Sequence, residues 1–334
     1  NRDLTWEKSN NFNIGFEGSF FDRLNVNFDF FIKETKDMLY ASPLASSEGT
    51  PTWIYRNEMD MKNTGVELEI NADVIKTKNF KWNVAFNATH YKNELTKLPD
   101  SKPADQYPDG YQAGSYWRKI GGSLYDFYTY EYAGVDPENG KPLYNKYTKD
   151  ENGVETVTTV NTTSEASLRQ TGKSAIPKLT GGLSTTFEAY GFDLSIQTAF
   201  QIGGYVWDSQ YMTLMNTGDA GENFHKDMFN RWTPANTNTN IPQLVYQDQD
   251  QALGGDFALI NASYFSLRNL TLGYSLPKSL IKKVGIGNLR VYLTGDNLWL
   301  QSKRKGLDPR QSFSGGTGYV YSALSSYSIG LNLT

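Results

Sequence analysis

The chain ends in Tyr327-Ser-Ile-Gly-Leu-Asn-Leu-Thr334, where large apolar residues alternate with small or polar ones. A period of two is typical of a β-strand with one apolar face and one polar face. The same alternation recurs along the chain. Together these segments predict about nine spanning strands, at residues 12–20, 24–34, 64–75, 81–91, 179–188, 192–202, 263–276, 288–299 and 319–334.

The connections between the predicted strands are alternately short and very long. The short ones are 21–23, 76–80, 189–191 and 277–288, and the long ones are about 35–63, 92–178, 203–262 and 301–318. Compact soluble domains rarely contain several structureless loops longer than about 12–15 residues. Outer-membrane barrels combine short periplasmic turns with long extracellular loops. The sequence therefore predicts an all-β fold, a transmembrane antiparallel β-barrel, with residues 1–334 forming part of one barrel domain.

The number of predicted strands indicates a piece of a larger barrel. Single-chain bacterial barrels have even strand numbers, and nine strands cannot close one. The start, Asn1-Arg-Asp-Leu4, has no signal-peptide pattern, so we expect an internal or C-terminal piece of an exported protein. The segment 123–134 also alternates. Since a spanning strand there would put later short turns on the wrong side, we place it in an outer hairpin sheet with 142–160.

Few residues suit catalysis or metal binding. The chain has no Cys and two His, which excludes a thiol nucleophile and a zinc-thiolate site. His90 and His225 have no metal-ligand spacing, and a hydrolase triad has no well-placed base. We therefore expect no enzyme and no cofactor. The net charge of −4 comes without a basic stripe, which argues against nucleic-acid binding.

Two acidic turns leave open a calcium site in an extracellular loop. They are Asp136-Pro-Glu-Asn-Gly140 and Asp150-Glu-Asn-Gly153. Their spacing departs from that of an EF-hand loop, and ordinary Asx turns at hairpin tips explain both.

The alternation also assigns side chains to the two faces of the barrel wall. The residues predicted to face lipid include Leu194, Ile196, Ile329 and Leu331, with Ser195 facing the lumen. Aromatic residues beside the short turns are predicted to form the periplasmic girdle: Phe80, Trp82, Tyr190 and Phe192.

The long loops are rich in aromatic residues that can stack on a sugar or pack against a peptide. The candidate contacts with substrate or with a lid protein are Trp53, Tyr55, Tyr116, Trp117, Tyr211 and Trp232. The alternative is that these rings pack the loops onto each other.

Several segments, in their order along the chain, resemble SusC-like (SusC/RagA-type) TonB-dependent outer-membrane transporters. Asn1-Arg-Asp-Leu-Thr-Trp-Glu7 resembles the family signature Asn-Pro-Asp-Leu-Lys-Trp-Glu, with Arg2 in place of the usual Pro. Further matches are Met61-Lys-Asn-Thr-Gly-Val-Glu-Leu68, Gly134-Val-Asp-Pro-Glu-Asn-Gly140, Pro177-Lys-Leu-Thr-Gly-Gly-Leu183, Leu267-Arg-Asn-Leu-Thr-Leu-Gly-Tyr-Ser-Leu-Pro277 and Gly306-Leu-Asp-Pro-Arg310.

This resemblance implies the C-terminal part of a plugged barrel of roughly 22 strands in the outer membrane of a Gram-negative, Bacteroidetes-like bacterium. It implies import of an oligosaccharide or peptide, energy supplied through TonB, and a SusD-like lipoprotein as an extracellular lid. The plug domain and the TonB-contacting segment are expected outside this chain. Two alternatives remain open: a siderophore-type transporter without a lid, and a secreted, non-transporting glycan-binding or adhesin β-protein.

Overall fold

A computed structural model describes residues 3–44, 47, 49, 52–216, 221–246, 253–282, 285–318 and 320–334. The strands in chain order are β1 (Lys8–Phe20), β2 (Leu24–Pro43), β3 (Trp53–Lys76), β4 (Phe80–Lys97), β5 (Tyr111–Ala113), β6 (Tyr116–Arg118), β7 (Asp126–Tyr130), β8 (Tyr132–Val135), β9 (Pro142–Lys149), β10 (Glu155–Val160), β11 (Leu168–Ser174), β12 (Leu179–Ala189), β13 (Phe192–Ile202), β14 (Tyr205–Trp207), β15 (Leu259–Asn261), β16 (Tyr264–Ser275), β17 (Leu289–Ser302) and β18 (Ser326–Leu333). The helices are α1 (Ser209–Met215), α2 (Lys278–Ile281) and 3-10 turns at Lys226–Asn230, Gly255–Ala258 and Pro309–Gln311.

One antiparallel sheet of nine strands dominates the structure. Its order, β1-β2-β3-β4-β12-β13-β16-β17-β18, follows the chain, and nine is the number that the alternation predicts. Short turns join the strands at one end, called the short-turn end. At Tyr190-Gly191 both residues have positive φ, 51° and 88°, which suits the two-residue turns that match strand twist. The long connections all leave from the opposite, long-loop end.

The register places apolar and polar side chains in separate rows. Because directly paired residues point to the same face of a sheet, a row can be followed across six strands. One row is wholly apolar: Trp82, Phe187, Leu194, Leu272, Leu293 and Ile329. The row displaced by one residue is wholly polar: Asn83, Thr186, Ser195, Thr271, Thr294 and Ser328. The two faces, called the apolar face and the polar face, thus match the predicted alternation.

An ion pair crosses the polar face near the short-turn end. Arg290 in β17 donates to Asp193 in β13 through Nε (2.9 Å) and Nη2 (2.5 Å). The intervening strand β16 has Gly273 between them, and a Cβ built there would lie 2.4 Å from Arg290 Nη2 and 2.5 Å from Asp193 Oδ1. The missing side chain of Gly273 therefore leaves the space in which the ion pair forms.

Several predicted boundaries are wrong. Strand β1 begins at Lys8 rather than at residue 12, and β4 continues to Lys97 rather than ending at residue 91. Strands β2 and β3 continue to Pro43 and from Trp53, so most of the predicted loop 35–63 is a paired hairpin. The reason is a bulge, with a register shift between Thr35 and Met38 and a positive φ of 57° at Asp37, which interrupts the alternation while the pairing continues. The last strand begins at Ser326 rather than at residue 319.

The longest connection contains small sheets of its own. As predicted, segment 123–134 lies outside the main sheet, but it divides between two sheets instead of joining one hairpin. Strand β7 belongs to the sheet β11-β7-β6-β5, and β8 pairs with β9 in the sheet β10-β9-β8. Strands β14 and β15 form a separate pair.

The hydrophobic core lies mainly in the long connections. Of the buried apolar side chains in the described residues, just Phe31, Met59 and Leu95 belong to the main sheet. The largest buried cluster comes from the connection 203–262: Tyr211, Met212, Met215, Met228, Ile241, Leu253 and Ala258. The loops are therefore packed units rather than loose segments. Among the described residues, no helix has the length and apolar character needed to cross a membrane.

Candidate functional site

The long connections fold back over the polar face at the long-loop end. Asn93 in β4 shares that face with Asn83 because the two positions differ by ten, an even number. The Asn93 amide donates to Asn63 Oδ1 (2.8 Å), and its oxygen accepts the backbone N–H of Leu124 (2.9 Å). This buried amide therefore ties the connection that follows β4 to the barrel wall.

A cavity of about 310 Å³ lies between the polar face and the loops. It is called the mouth cavity. Its lining includes, from the main sheet, Phe31, Lys33, Met61, Glu67 and Tyr91, and, from the connections, Leu124, Tyr125, Ile176 and Phe313. A second cavity, of about 250 Å³, shares Tyr91 and Phe313 with it. Wall and loops together thus form a concave surface at the long-loop end.

Two of the long connections are locked together by a buried ion pair. Arg304 Nε donates to Asp208 Oδ2 (2.9 Å), and Asp208 is only 1% exposed. The Arg304 guanidinium also lies 4.6 Å from the ring centre of Tyr211, whose hydroxyl donates to Asp227 (2.8 Å). Burial, reinforced by the Asp227 carboxylate, raises the pKa of Tyr211. Separating the two connections would leave an uncompensated buried charge, which is strongly unfavourable. The ion pair therefore holds them together as one unit.

The structure separates the predicted loop aromatics into packed and exposed groups. Tyr211 is buried in the cluster described above. Tyr116 packs on Phe127, with ring centres 5.4 Å apart, and donates to the backbone oxygen of Ser314 (2.7 Å). Both rings therefore have structural partners already.

Trp117 and Trp232, two of the predicted contact residues, also pack within the loops. Trp117 lies 4.5 Å from the ring of Tyr128 and donates to the backbone oxygen of Asp109 (2.7 Å). Trp232 donates to the backbone oxygen of Pro137 (3.1 Å), and a Cβ built at Gly140 would lie 2.5 Å from its ring. The positive φ of Gly140, 75°, and this close approach make glycine the residue that fits there. Contact of either tryptophan with a substrate stays a prediction.

Trp53 and Tyr55 differ, because they are exposed on the extended hairpin of β2 and β3. They are 46% and 51% exposed, and their rings meet edge to face at 5.1 Å. The structure thus places them in a strand rather than in the predicted loop, with aromatic surface accessible.

The predicted membrane-facing residues all lie on the strands or turns that the alternation indicates. Ile329 and Leu331 are 73% and 67% exposed, whereas Leu194 and Ile196 are half-buried. At the short-turn end, Phe192 packs on Tyr274 at 4.5 Å and Tyr190 is 81% exposed. Phe80 and Trp82 begin β4 beside the turn at residues 77–79.

The acidic turns behave as Asx turns. Asp136 accepts the backbone N–H of Glu138 (2.9 Å), and Asp150 accepts those of Asn152 and Val154 (2.9 and 2.8 Å). Within the described part of the chain, no three His, Cys, Asp or Glu side chains are grouped as metal ligands. These hydrogen bonds give Asp136 and Asp150 a structural role in their turns that does not require calcium.

The mouth cavity was not predicted from the sequence. Its wall residues Phe31 and Tyr91 carry a weak signal, since each is a large aromatic at a position of the polar face. Phe313, from the last long connection, carries none, because nothing in the surrounding sequence indicates that this loop reaches β4.

The chain belongs to the family described as TonB dependent receptor-like, beta-barrel, whose family model matches residues 1–298. It is 30% identical over 321 residues to the TonB-dependent receptor P3 of Formosa agariphila, covering 94% of this chain and 31% of that protein. It is 29% identical over 344 residues to the TonB-dependent receptor SusC of Bacteroides thetaiotaomicron, covering 100% of this chain and 32% of SusC. The predicted resemblance to SusC-like proteins is thereby confirmed.

A solved structure gives the same result. The RagAB peptide transporter superposes with a TM-score of 0.83 at 31% identity, over 100% of this chain and 36% of the matched chain. The chain therefore spans about a third of the length of these relatives. It is part of an outer-membrane β-barrel of the Bacteroidetes type, not a secreted β-protein. Its relatives are receptors and transporters, not enzymes.

Proposed function

We propose that this chain forms part of a transporter that imports a bulky nutrient, an oligosaccharide or a peptide, across the outer membrane with energy supplied through TonB. The observation that carries the proposal is the concave mouth built jointly by the polar face and the long connections. Two relatives support it: SusC is a TonB-dependent receptor, and RagAB is a peptide transporter. Residues that contact TonB, or that belong to a plug domain, are expected outside this chain.

The apolar face is proposed to meet membrane lipid and the polar face to line the lumen. Leu194, Ile196, Ile329 and Leu331 would then lie in the hydrocarbon region, because alternate residues of a barrel strand face lipid. The aromatic residues at the short-turn end, Phe80, Trp82, Tyr190 and Phe192, would form the periplasmic girdle. This orientation puts the mouth cavity on the cell surface.

A SusD-like lipoprotein is proposed to cover this mouth. Trp53 and Tyr55 support the proposal because they present an exposed aromatic pair on a hairpin that extends beyond the predicted span, and aromatic side chains dominate protein interfaces. Trp117 and Trp232 would contribute indirectly, by holding the loops in shape. Tyr116 and Tyr211 would act in the same way, since both are packed between loops.

The test is co-purification of the lipoprotein with the full-length transporter. Trp53→Ala combined with Tyr55→Ala should reduce recovery of the lipoprotein while the barrel stays folded. The matched control is Phe21→Ala, which removes an aromatic ring that is 89% exposed at the short-turn end, on the side away from the lid.

Three outcomes separate the possibilities. Loss of the lipoprotein in the double variant, but not in the Phe21 control, supports the lid. Unchanged recovery in both variants would remove Trp53 and Tyr55 from the interface. If no lipoprotein accompanies even the unaltered transporter, the siderophore-type alternative without a lid is favoured.

A further inference from the structure

The lining of the mouth cavity is rich in apolar side chains, although it lies on the polar face of the barrel wall. Phe31 and Met61 come from the wall, whereas Leu124, Ile176 and Phe313 come from the connections. Phe313 is 68% exposed, so its ring offers surface to a ligand. Exposed apolar surface gathered in a concave site is typical of ligand binding.

The polar side chains of the same cavity are Lys33, Asn63, Glu67, Thr89 and Asn93, beside the hydroxyls of Tyr91 and Tyr125. The side chain of Asn93 is already bonded to Asn63 and to the backbone of Leu124, so its oxygen and one amide hydrogen are in use. Two of the polar side chains, Lys33 and Glu67, carry charges of opposite sign. Within the described part of the chain neither of them forms a salt bridge, although Lys33 lies over the ring of Phe31, 4.9 Å from its centre.

This combination distinguishes between the two substrate classes of the proposed function. A neutral oligosaccharide carries a hydroxyl on most carbons, and burying hydroxyls without new hydrogen bonds is unfavourable. A peptide carries apolar side chains, together with charges of both signs. A neutral sugar has no charged group to pair with Lys33 or Glu67. Apolar side chains beside a cation and an anion that form no salt bridge among the described residues therefore complement a peptide better than a neutral sugar.

We propose that the substrate is a peptide and that the mouth cavity holds one of its apolar side chains, with Lys33 and Glu67 facing charged groups of the peptide. This inference rests on the proposed import function and names the substrate class for it. The cavity, at about 310 Å³, exceeds the roughly 150 Å³ in which an apolar cavity binds benzene. A Leu or Phe side chain therefore fits within it.

The test measures equilibrium binding to the full-length transporter purified with its lipoprotein. The probes are two sets of synthetic peptides of equal length and charge, one containing Leu and Phe and the other Ser and Asn at the same positions, and a set of neutral glucose oligosaccharides. The apolar peptides should bind about tenfold more tightly than the polar ones, as is usual when a pocket gains or loses an apolar group. The oligosaccharides should bind weakly or not at all.

Two variants test whether the preference for apolar peptides arises in the mouth cavity. Phe313→Asn and Ile176→Asn should each remove most of the preference for apolar peptides. The control is Phe229→Asn, since Phe229 is a loop aromatic that is 85% exposed and does not line the mouth cavity. It should leave the preference unchanged. The unaltered transporter provides a readout that does not depend on the folding of any variant.

The outcomes also separate this inference from the proposed function. Tight binding of the oligosaccharides without binding of the peptides would overturn the peptide assignment and leave the import function standing. Equal binding of apolar and polar peptides, or a preference unaffected by both cavity variants, would overturn the role of the cavity. If the transporter binds none of the probes, the proposed function fails and the substrate assignment fails with it.

Discussion

Gly273→Ala is expected to destabilise the barrel, although alanine usually suits a strand better than glycine. The new Cβ would lie 2.4 Å from Arg290 Nη2 and 2.5 Å from Asp193 Oδ1, so the ion pair has to open. A hydrogen bond to a charged group contributes about 1.5–3 kcal/mol, and the strand preference of alanine returns about 0.5–1 kcal/mol. The net loss should therefore be about 1–2 kcal/mol in the free energy of unfolding.

The assay for this prediction is a double-mutant cycle in the full-length protein, measured by unfolding in detergent. Arg290→Met removes the ion pair and leaves Asp193 without its partner. In that background Gly273→Ala should cost much less than in the unaltered protein, because there is no longer a pair to disrupt. An equal cost of Gly273→Ala in both backgrounds would refute the reasoning, since the effect would then come from the backbone or from other neighbours.

Three further predictions concern the membrane faces, the orientation and the loops. Ile196→Arg should destabilise the barrel by about 2–4 kcal/mol and Ser195→Arg by less; equal effects on heat stability would mean that the faces are assigned wrongly. A cysteine replacing Asn152 should react with a membrane-impermeant label on intact cells, whereas one replacing Tyr190 should not. Labelling at position 190 but not at 152 would mean that the short-turn end faces the outside of the cell. Burial acts to raise the pKa of Asp308, but hydrogen bonds from Arg310 outweigh it and hold the pKa below the usual 3.8. The Asp308–Arg310 pair should therefore stabilise the loop at pH values above the usual 3.8, and this stabilisation should be lost as the pH falls through the lowered pKa of Asp308. The difference in stability between the unaltered protein and Asp308→Asn should shrink in acid. A difference that stays constant would contradict this.

The main sheet was predictable because each face of the wall meets a different environment. In a spanning strand, residues that face lipid alternate with residues that face the lumen. Apolar residues such as Ile329 therefore alternate with polar residues such as Ser328 wherever a strand spans the membrane. Where that constraint ends, the pattern fails. Beyond Thr35 the bulge at Asp37 shifts the register, and the extended hairpin of β2 and β3 therefore appeared as a loop in the sequence.

The candidate site was much less predictable, because it depends on how distant segments pack. Phe313 meets Tyr125, with ring centres 5.6 Å apart, although they are 188 positions apart in the sequence. No periodic pattern carries that information. Trp117 and Trp232 were among the candidates because they are large aromatic rings in long loops, and this does not distinguish a ring that binds a ligand from one that packs a loop. The contacts with Tyr128 and Gly140 are visible only in the folded chain.

The claim that the nine strands form a membrane wall with one lipid face is tested most directly by quenching from within the bilayer. This chain has no cysteine, so a single cysteine placed at Ile329 or at Ser328 can carry a fluorophore at one defined site of it. In the full-length protein reconstituted with brominated lipids, the fluorophore at position 329 should be strongly quenched and that at position 328 should not. Equal quenching at both positions, or stronger quenching at 328, would contradict the assignment of the apolar face to lipid.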